Sequence, residues 1–352
     1  MTARGWFLFS LMGVLWGIPY LMIKVAVDGV SPSMVVFVRC ALGAALLLPF
    51  AIRQGGLAAT VRTHWRPMLA FAVIEVIGPW WTLTDAERHL SSSTAGLLIA
   101  GVPIVAVLLT RFFGDTEHLG ARRLTGLILG LAGVGVLTVP HLAGGDARSL
   151  AEVAVTVIGY ATAPLIMARH LKQVPTLQLI APVLLLSAIV YAPAAALTWP
   201  TAMPSPSVLA SLAGLGVICT ALAFVVFLEL IREVGPTRAT VFTYVNPAVA
   251  VAAGALFLDE RLTGTVLVAF ALILAGSFLA TAGPGSGPRR KRTARLPSQP
   301  KPAGPRRSSR PVTWSTRQTS RADGRVESPL LGGFPRNVRA SQGRVVANGH
   351  PG

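Results

Sequence analysis

Long runs of apolar residues, separated by short polar links, make up nearly all of the first 282 residues of the chain. A helix needs about 20 mostly apolar residues to cross a bilayer, and ten stretches come close to this length. Strands of a membrane barrel would alternate between apolar and polar residues over about ten positions, whereas these runs stay apolar. We therefore predict an all-α integral membrane protein with ten transmembrane helices. The predicted helices cover residues 6–26, 34–52, 67–85, 92–111, 122–139, 152–168, 176–198, 207–230, 238–257 and 263–282.

The composition fits a surface that mostly meets lipid. Hydrophobic residues make up 53% of the chain and charged residues only 13%, whereas a soluble domain has about 25% charged residues. Cys40 and Cys219 both fall inside apolar runs, so we expect neither a disulfide framework nor a metal site from them. Residues 1–16 lack a small-residue cleavage site, and we predict a retained first helix there, not a signal peptide.

Positive charge is concentrated at the C-terminal end of the chain. The formal net charge is +17, and residues 283–352 contain 15 Lys and Arg residues but only two acidic residues. This segment is rich in Pro, Gly, Ser and Arg and has few large apolar residues, so we predict a disordered basic tail. Because this charge does not cover a folded surface, a nucleic-acid partner is not expected.

The short links between the predicted helices also differ in charge. If the N-terminus lies in the cytoplasm, eleven Lys and Arg residues of these links face the cytoplasm and three face the other side. Positive residues accumulate in cytoplasmic loops. We therefore predict a multi-pass protein of the cell inner membrane with both termini in the cytoplasm.

One sequence pattern occurs twice. Pro103 and Pro247 each begin a P-x-V-A-V segment, which is followed by an acidic residue with Leu two positions later and then by Leu-Ala-Gly. This repeat predicts two halves, 1–145 and 146–282, with five helices each. An odd number of helices per half makes the two copies point in opposite directions. Inverted repeats of this kind recur in secondary transporters, where the substrate site lies near mid-membrane between the halves.

Short motifs follow one another in a fixed order over about residues 5–282. They are Trp16-Gly17 with Lys24, Arg39, Ser93-x-Ala-Gly before Pro103, Glu117-x-Leu119, Val234-Gly-Pro-Thr-Arg-Ala-Thr240, Tyr244-x-Asn-Pro247 and Leu258-Asp-Glu-Arg-Leu262. This order resembles that of the EamA-type proteins of the drug/metabolite transporter superfamily. The resemblance implies ten helices in two inverted halves, and export or exchange of small metabolites by alternating access through a central cavity. It does not fix the substrate, because members handle amino acids, sugars, amines and drugs.

Charged residues inside the predicted helices are candidates for a binding site, because an ionisable group in the bilayer is costly. Glu75, near the middle of the third helix, is a candidate proton-linked or cation-binding group; a neutral acid hydrogen-bonded to a neighbouring helix is the alternative. Lys24 and Arg39 could together bind a carboxylate or phosphate. The alternative for Lys24 is an ordinary helical pair with Asp28.

Aromatic residues and prolines complete the candidate cavity. Six aromatic residues could form a wall for an organic substrate, and ordinary packing is the alternative for each of them. They are Trp16, Tyr20, Trp80, Trp81, Tyr160 and Tyr244. Pro103 and Pro247 occupy matched places in the fourth and ninth helices and are predicted to be helix breaks or hinges. Asn246 could donate and accept hydrogen bonds to substrate.

These features predict a secondary transporter that moves a small metabolite, such as an amino acid, amine or drug-like compound, across the bacterial inner membrane by alternating access, as an exporter. The expected partners are a small-molecule substrate and the lipid bilayer, and proton coupling and a homodimer stay open. No cofactor, metal or catalytic residue is expected, since the sequence has neither a metalloprotease motif nor a phosphate-binding loop. One alternative is a polytopic enzyme for lipid-linked substrates, for which Asp85, Glu87 and His89 form the only group of acids and histidine. Another is a membrane sensor that signals through the basic tail.

Overall fold

The computed structural model describes residues 2–112, 120–234, 242–243 and 245–281. Over these ranges the secondary structure is helical and contains no β-strand. The all-α fold predicted from the apolar runs is therefore confirmed. The tail, residues 283–352, for which disorder was predicted, lies outside the described residues.

The helices are named here in chain order. Those before residue 145 are α1 (Ala3–Leu15), α2 (Pro19–Val27), α3 (Pro32–Arg53), α4 (Leu57–Phe71), α5 (Gly78–Ala86), α6 (Ser92–Ile99), α7 (Val102–Phe112) and α8 (Ala121–Ala143). Those after it are α9 (Ala147–His170), α10 (Thr176–Leu197), α11 (Pro206–Gly216), α12 (Ala223–Val234), α13 (Asn246–Phe257) and α14 (Gly264–Thr281). Two π-helices, π1 (Ala72–Ile77) and π2 (Val217–Leu222), join α4 to α5 and α11 to α12.

Seven helical segments are long and apolar enough to cross a membrane. They are Ala3–Val27, Pro32–Arg53, Leu57–Ala86, Ser92–Leu109, Ala147–His170, Thr176–Leu197 and Pro206–Val234. Shorter apolar helices lie at Leu124–Pro140, Asn246–Phe257 and Gly264–Leu279. Each of the ten predicted stretches overlaps one of these segments, and the number that cross the membrane stays a prediction.

Consecutive segments run up and down between two ends of the bundle, which we call the N-terminal rim and the distal rim. At the N-terminal rim the start of α1 meets the end of α12, where Arg4 Nη2 lies 2.8 Å from Glu229 Oε2. At the same rim Gln178, at the start of α10, accepts a hydrogen bond from Thr60 Oγ1 (2.7 Å) and donates one to the carbonyl oxygen of Gly55 (2.8 Å).

The distal rim is held together by contacts between other helix ends. Ser31 Oγ lies 2.6 Å from Thr198 Oγ1, at the start of α3 and the end of α10. Arg148 Nη2, at the start of α9, lies 2.7 Å from Asp85 Oδ2, at the end of α5. Helix α1 therefore begins at the N-terminal rim, whereas α9 begins at the distal rim.

Two helices open at the distal rim with the same dipeptide, serine followed by proline. Ser31 Oγ accepts a hydrogen bond from the main-chain nitrogen of Met34, and Ser205 does the same for Val208. The prolines that follow stand at the first helical position, where the missing N–H costs nothing. The local sequence thus fixes where α3 and α11 begin.

Four of the segments are interrupted inside their length. A turn at residues 16–18 separates α1 from α2, and a second turn at Ala100–Gly101 separates α6 from α7. In the segments Leu57–Ala86 and Pro206–Val234, a π-helix takes the place of a break. A π-helix inside an α-helix often marks a functional site.

Glycines let several helices approach closely. A Cβ atom on Gly276 of α14 would lie 2.5 Å from the Cα atom of Gly130 of α8 and 2.8 Å from the carbonyl oxygen of Gly126. A Cβ atom on Gly13 of α1 would lie 2.9 Å from a methyl group of Val245, just before α13. The lack of a side chain at Gly13 and Gly276 therefore permits these close approaches.

Candidate functional site

Arg39 is a buried cation in the middle of the bundle. It lies on α3 with 9% of its surface exposed. The guanidinium carbon is 3.7 Å from the ring centroid of Trp80 on α5, and Arg39 Nε donates a hydrogen bond of 3.0 Å to Thr220 Oγ1. Desolvated arginine–aromatic stacking is worth about 2 kcal/mol or more. Arg39 therefore links the second, third and eighth apolar segments.

Thr220 lies inside π2, and its hydroxyl forms two hydrogen bonds. It accepts the hydrogen bond from Arg39 and donates one of 2.8 Å to the carbonyl oxygen of Leu215, five residues earlier. A π-helix leaves main-chain groups displaced from the ordinary α-helical pattern, and a side-chain hydroxyl can satisfy them. The irregular backbone and the buried cation thus share one stabilising group.

The other π-helix, π1, carries Glu75. Pro79 follows four residues later and has no N–H to donate to the carbonyl of Glu75, which favours an irregular turn here. Tyr191 on α10 donates a hydrogen bond of 2.5 Å to the carbonyl oxygen of Ile77, and Thr156 on α9 donates one of 3.2 Å to that of Pro79. Side chains of neighbouring helices therefore satisfy the backbone around π1.

The Glu75 side chain itself is half-buried and has no hydrogen bond or ion pair among the residues that the structure describes. Gly159 lets α9 pass directly over the π-helix, because a Cβ atom there would lie 2.6 Å from Pro79 Cγ. Tyr160, the next residue, interacts electrostatically with Glu75 and also with Arg39. The charges of Glu75 and Arg39 therefore both act on Tyr160.

Tyr20 on α2 belongs to the same region. Its side chain is buried, and its ring faces Gly96 on α6, where a Cβ atom would lie 3.5 Å from Tyr20 Cδ2. Electrostatic interactions connect Tyr20 with Arg39 and with Glu87. Of the predicted site residues, Arg39 and Trp80 are thus in direct contact, and Tyr20, Glu75 and Tyr160 lie within electrostatic range in the same region.

Other predicted aromatic residues lie elsewhere. Trp16 ends α1 and packs against Phe227 and Phe242, with ring centroids 5.3 Å apart in each case, so packing accounts for it in this conformation. Trp81 turns toward α3 and donates a hydrogen bond of 3.2 Å from its ring nitrogen to Ser33 Oγ. Tyr244 lies outside the described residues.

Lys24 is already bound to main-chain oxygens. Its Nζ donates hydrogen bonds of 2.6 Å to the carbonyl oxygen of Glu87 and 3.0 Å to that of Leu90, with a longer one of 3.5 Å to Arg88. A cation at the C-terminal end of a helix is favoured by the unpaired carbonyls and the helix dipole. In this conformation Lys24 therefore caps α5. It does not pair with Asp28, and its ammonium group is not free to bind an anion together with Arg39.

The predicted helix breaks fall close to the two prolines. Pro103 lies in the first turn of α7, just after the interruption at Ala100–Gly101, and Pro247 lies in the first turn of α13. Both therefore start helices and do not kink them from within. Asn246 opens α13, and its side-chain oxygen is buried without a hydrogen-bond partner in the described part of the chain.

Two cavities lie at the distal rim. The larger, of about 500 Å³, is lined by Asp28, Gly29 and the link 200–208, and the smaller, of about 320 Å³, by Ser31, Arg88 and neighbouring residues. Neither is lined by Arg39, Glu75 or Tyr160.

The residues proposed for an enzyme do not converge. Asp85 is bound by Arg88 and Arg148, Glu87 is enclosed, and His89 is exposed. Within the described ranges, no group of three or more His, Cys, Asp and Glu side chains could hold a metal ion. The arrangement gives no support to the enzyme alternative.

The structure gives three residues a role that the sequence analysis did not. Thr220 was not named there, because it lies in an apolar run, and Glu87 was named only within the group considered for an enzyme. Glu260 appeared only within the Leu258–Leu262 motif, but its carboxylate accepts hydrogen bonds from the main-chain nitrogens of Ser92 (2.7 Å) and Ser93 (3.0 Å) and from the hydroxyl of Ser93. An acidic residue at a helix N-terminus is the expected pairing, yet the helix it caps, α6, is far away in sequence.

Comparison with other proteins gives consistent relatives. The chain is 27% identical over 295 residues to the Uncharacterized inner membrane transporter YedA of Escherichia coli strain K12, which covers 80% of this chain and 94% of that protein. It is 24% identical over 261 residues to the Uncharacterized transporter YdfC of Bacillus subtilis strain 168, covering 71% and 82%. An Uncharacterized transporter of Archaeoglobus fulgidus is 23% identical over 279 residues, covering 78% and 98%.

Comparison with a solved structure and with protein families agrees with these relatives. A crystal structure with a TM-score of 0.59 and 21% sequence identity covers 80% of this chain and 98% of its own, which shows that the fold is shared. The EamA-like transporter family matches the sequence twice, over residues 3–139 and 150–282. The chain, which has multiple apolar helices, contains a buried Arg39 and two π-helices. By this double match it is a membrane transporter that belongs to the EamA-like transporter family.

Proposed function

We propose that this protein is a secondary transporter of the inner membrane that exports a small metabolite by alternating access. The inner-membrane assignment draws on the name of the Escherichia coli relative and on the apolar segments. The bias of Lys and Arg toward the N-terminal rim supports a cytoplasmic location for both termini.

The observation that carries this proposal is the pair of π-helices. Counted within the predicted halves, π1 and π2 lie in the third segment of each half. Matched interruptions in the two halves of a transporter point to its binding site. Arg39 bonds directly to π2 through Thr220, and Trp80, which follows π1 closely, lies under the guanidinium. The paired interruptions therefore meet at one buried positive charge.

The first helices of the two predicted halves begin at opposite rims, which supports alternating access. Helix α1 begins at the N-terminal rim and α9 at the distal rim, and the family match occurs twice. Two similar halves of opposite direction can exchange conformations, so that a site between them opens to one side and then to the other.

The charges favour a substrate that carries both an acid and an amine. Among the described residues, none accepts a hydrogen bond from the terminal Nη atoms of Arg39, and these atoms form the edge that binds a carboxylate in a fork. Glu75 can bind an ammonium group, and Trp80 and Tyr160 offer aromatic surfaces. An amino acid with an aromatic or apolar side chain combines these features, and an amine or a drug-like acid fulfils them in part.

Transport by purified protein in proteoliposomes tests this proposal. Three probes share one ring: phenylalanine, phenethylamine without the carboxylate, and 3-phenylpropionate without the amine, within a broader panel of metabolites. We expect phenylalanine to exchange fastest, Arg39→Leu to slow the two acids most, and Glu75→Gln to slow the two amines most. Exchange no faster than in protein-free liposomes for every compound in the panel would reject the transporter function.

Direction needs a separate measurement. An exporter should accumulate the transported probe in inverted membrane vesicles and lower its content in whole cells that express it. Accumulation in whole cells instead would reject export while leaving the transporter function intact.

A further inference from the structure

Glu87 is a fully enclosed carboxyl group at the distal rim. It follows the last residue of α5 and has 0% of its surface exposed. Both side-chain oxygens are buried, and neither has a hydrogen-bond partner among the residues described. A polar group in this situation usually has partners, so Glu87 calls for an explanation beyond packing.

The charged groups that face Glu87 are each engaged elsewhere. Lys24 on α2 donates to the main-chain carbonyl of Glu87 and not to its carboxyl group. Glu260, after α13, is held by the N-terminus of α6. Arg39 on α3 is held by Thr220 and Trp80. None of them neutralises the Glu87 carboxyl by direct contact.

Two tyrosines complete the surroundings. Tyr20 on α2 and Tyr160 on α9 both interact electrostatically with Glu87. The nearest residues of its own link, Arg88 and His89, are exposed at the rim. The titratable groups that interact with Glu87 therefore lie on α2, α3, α9 and the link after α13.

An ionised carboxylate in this position would be costly. Removing an ion from water without direct pairing costs several kcal/mol, and such a group becomes neutral instead. Burial raises the pKa of Glu87 well above its usual range; Lys24 opposes the increase, Glu260 adds to it, and Arg39 opposes it.

We infer that Glu87 is a proton-binding site of this carrier, neutral while the distal rim is closed and ionised when that rim opens. Opening must separate Lys24 from the carbonyl oxygens that it caps. Water then reaches the carboxyl group, which loses H⁺ to the aqueous phase and becomes a carboxylate, and the released ammonium of Lys24 can pair with it. Closing reverses each step, so one proton enters or leaves with each opening. This coupling role rests on the proposed transporter function, whereas the neutral state of Glu87 does not.

Infrared difference spectroscopy of the full chain in lipid vesicles can detect the neutral carboxyl directly through the C=O stretching band of a protonated acid. We expect this band at pH 7 in the wild type and in Glu75→Gln, and its loss in Glu87→Gln, whose amide has the size and neutrality of the protonated acid. A band that persists unchanged in Glu87→Gln would overturn the inference, and a band lost in Glu75→Gln alone would assign the proton to Glu75 instead.

A second variant keeps the inference testable if Glu87→Gln does not fold. Lys24→Met removes a positive charge that favours the ionised acid, so the midpoint at which the band titrates should rise by about 1 pH unit or more. Lys172→Met, at the other rim, should leave the midpoint unchanged. An equal midpoint in Lys24→Met and the wild type would refute the assignment to Glu87.

Transport measurements separate the proton site from its coupling role. With a probe that the wild type exchanges, Glu87→Gln should keep exchange at equal pH and lose accumulation driven by a pH gradient. Accumulation that survives in Glu87→Gln would overturn the coupling. If the wild type exchanges nothing, the proposed transporter function fails, and the infrared result still decides whether Glu87 binds a proton.

Discussion

The hydroxyl group of Thr220 connects the buried arginine to the backbone of π2, and Thr220→Val removes it with almost no change in shape. Two hydrogen bonds are lost, from Arg39 Nε (3.0 Å) and to the carbonyl oxygen of Leu215 (2.8 Å), and both are buried. A hydrogen bond to a charged group contributes about 1.5–3 kcal/mol and a neutral one about 0.5–1.5 kcal/mol. We therefore expect Thr220→Val to lower the free energy of unfolding by about 2–4 kcal/mol.

Reversible unfolding with sodium dodecyl sulfate in mixed micelles, followed by circular dichroism, measures this loss. Thr162→Val is the matched control, because Thr162 on α9 is half-buried and its hydroxyl forms only a solvent-exposed hydrogen bond, to the carbonyl oxygen of Ile158 in its own helix. Surface substitutions of this kind usually stay within about 0.5 kcal/mol. The difference between the two threonines isolates the contribution of the buried network.

A double-mutant cycle divides the loss between the two bonds. In an Arg39→Met background, Thr220→Val can remove only the bond to Leu215, so its cost should fall to about 1 kcal/mol. If Thr220→Val costs as little as Thr162→Val in the wild type, or costs the same in both backgrounds, then Arg39 does not depend on Thr220 and our account of π2 is wrong.

Three further predictions concern other parts of the fold. Gly276→Ala should destabilise the protein by about 1–3 kcal/mol because its Cβ would overlap the backbone of Gly130 on α8. Gly135→Ala, on α8 with open space around it, should be neutral or slightly stabilising. Equal effects of the two substitutions on unfolding would contradict the close crossing. Lys24→Met should lower the free energy of unfolding by about 2 kcal/mol because α5 loses its C-terminal cation. Lys172 is an exposed lysine, and Lys172→Met should leave the free energy of unfolding almost unchanged in the same assay. Burial raises the pKa of Glu87 in the folded protein. The contribution of Glu87 to the free energy of unfolding is therefore complete below the unfolded pKa of about 4.3 and declines as pH rises toward the folded pKa. Glu87→Gln should lack this decline, and parallel stability–pH curves of the variant and the wild type would argue against the raised pKa.

The course of the helices could be predicted from the sequence, because spans in lipid must be long and apolar. Each predicted stretch overlaps a helical segment, and the Ser-Pro pairs before α3 and α11 mark their starts through local hydrogen bonds. These signals lie within a few neighbouring residues, which is why one sequence suffices to find them.

The two π-helices were not predicted. Pro79 is a local signal for π1, but most of the groups that accommodate the two irregular turns lie in other parts of the chain. Residues 72–77 and 217–222 contain no glycine or proline and look like ordinary apolar helix. The irregular turn of π1 is accommodated by Gly159 on α9 and by the hydroxyl of Tyr191 on α10. Such partners are recognised only after the helices have been placed in space.

The same reason limits what the sequence could say about individual polar residues. The sequence placed Lys24 with Arg39 as a possible anion site, since both are cations near the same end of the first two helices. In the structure Lys24 caps α5, and Glu87 is buried although the next two residues, Arg88 and His89, are exposed. Spacing along the chain reveals which charges exist but not which of them meet.

The crossing of α8 and α14 has a mechanical consequence. Where Gly130 and Gly276 meet, main chain touches main chain with no side chain between them. Neither helix can rotate or slide there without steric overlap, since no flexible group can give way. These two helices should therefore move as one rigid body, and the displacements that expose the interior must be carried by the interrupted segments on the remaining side of the protein.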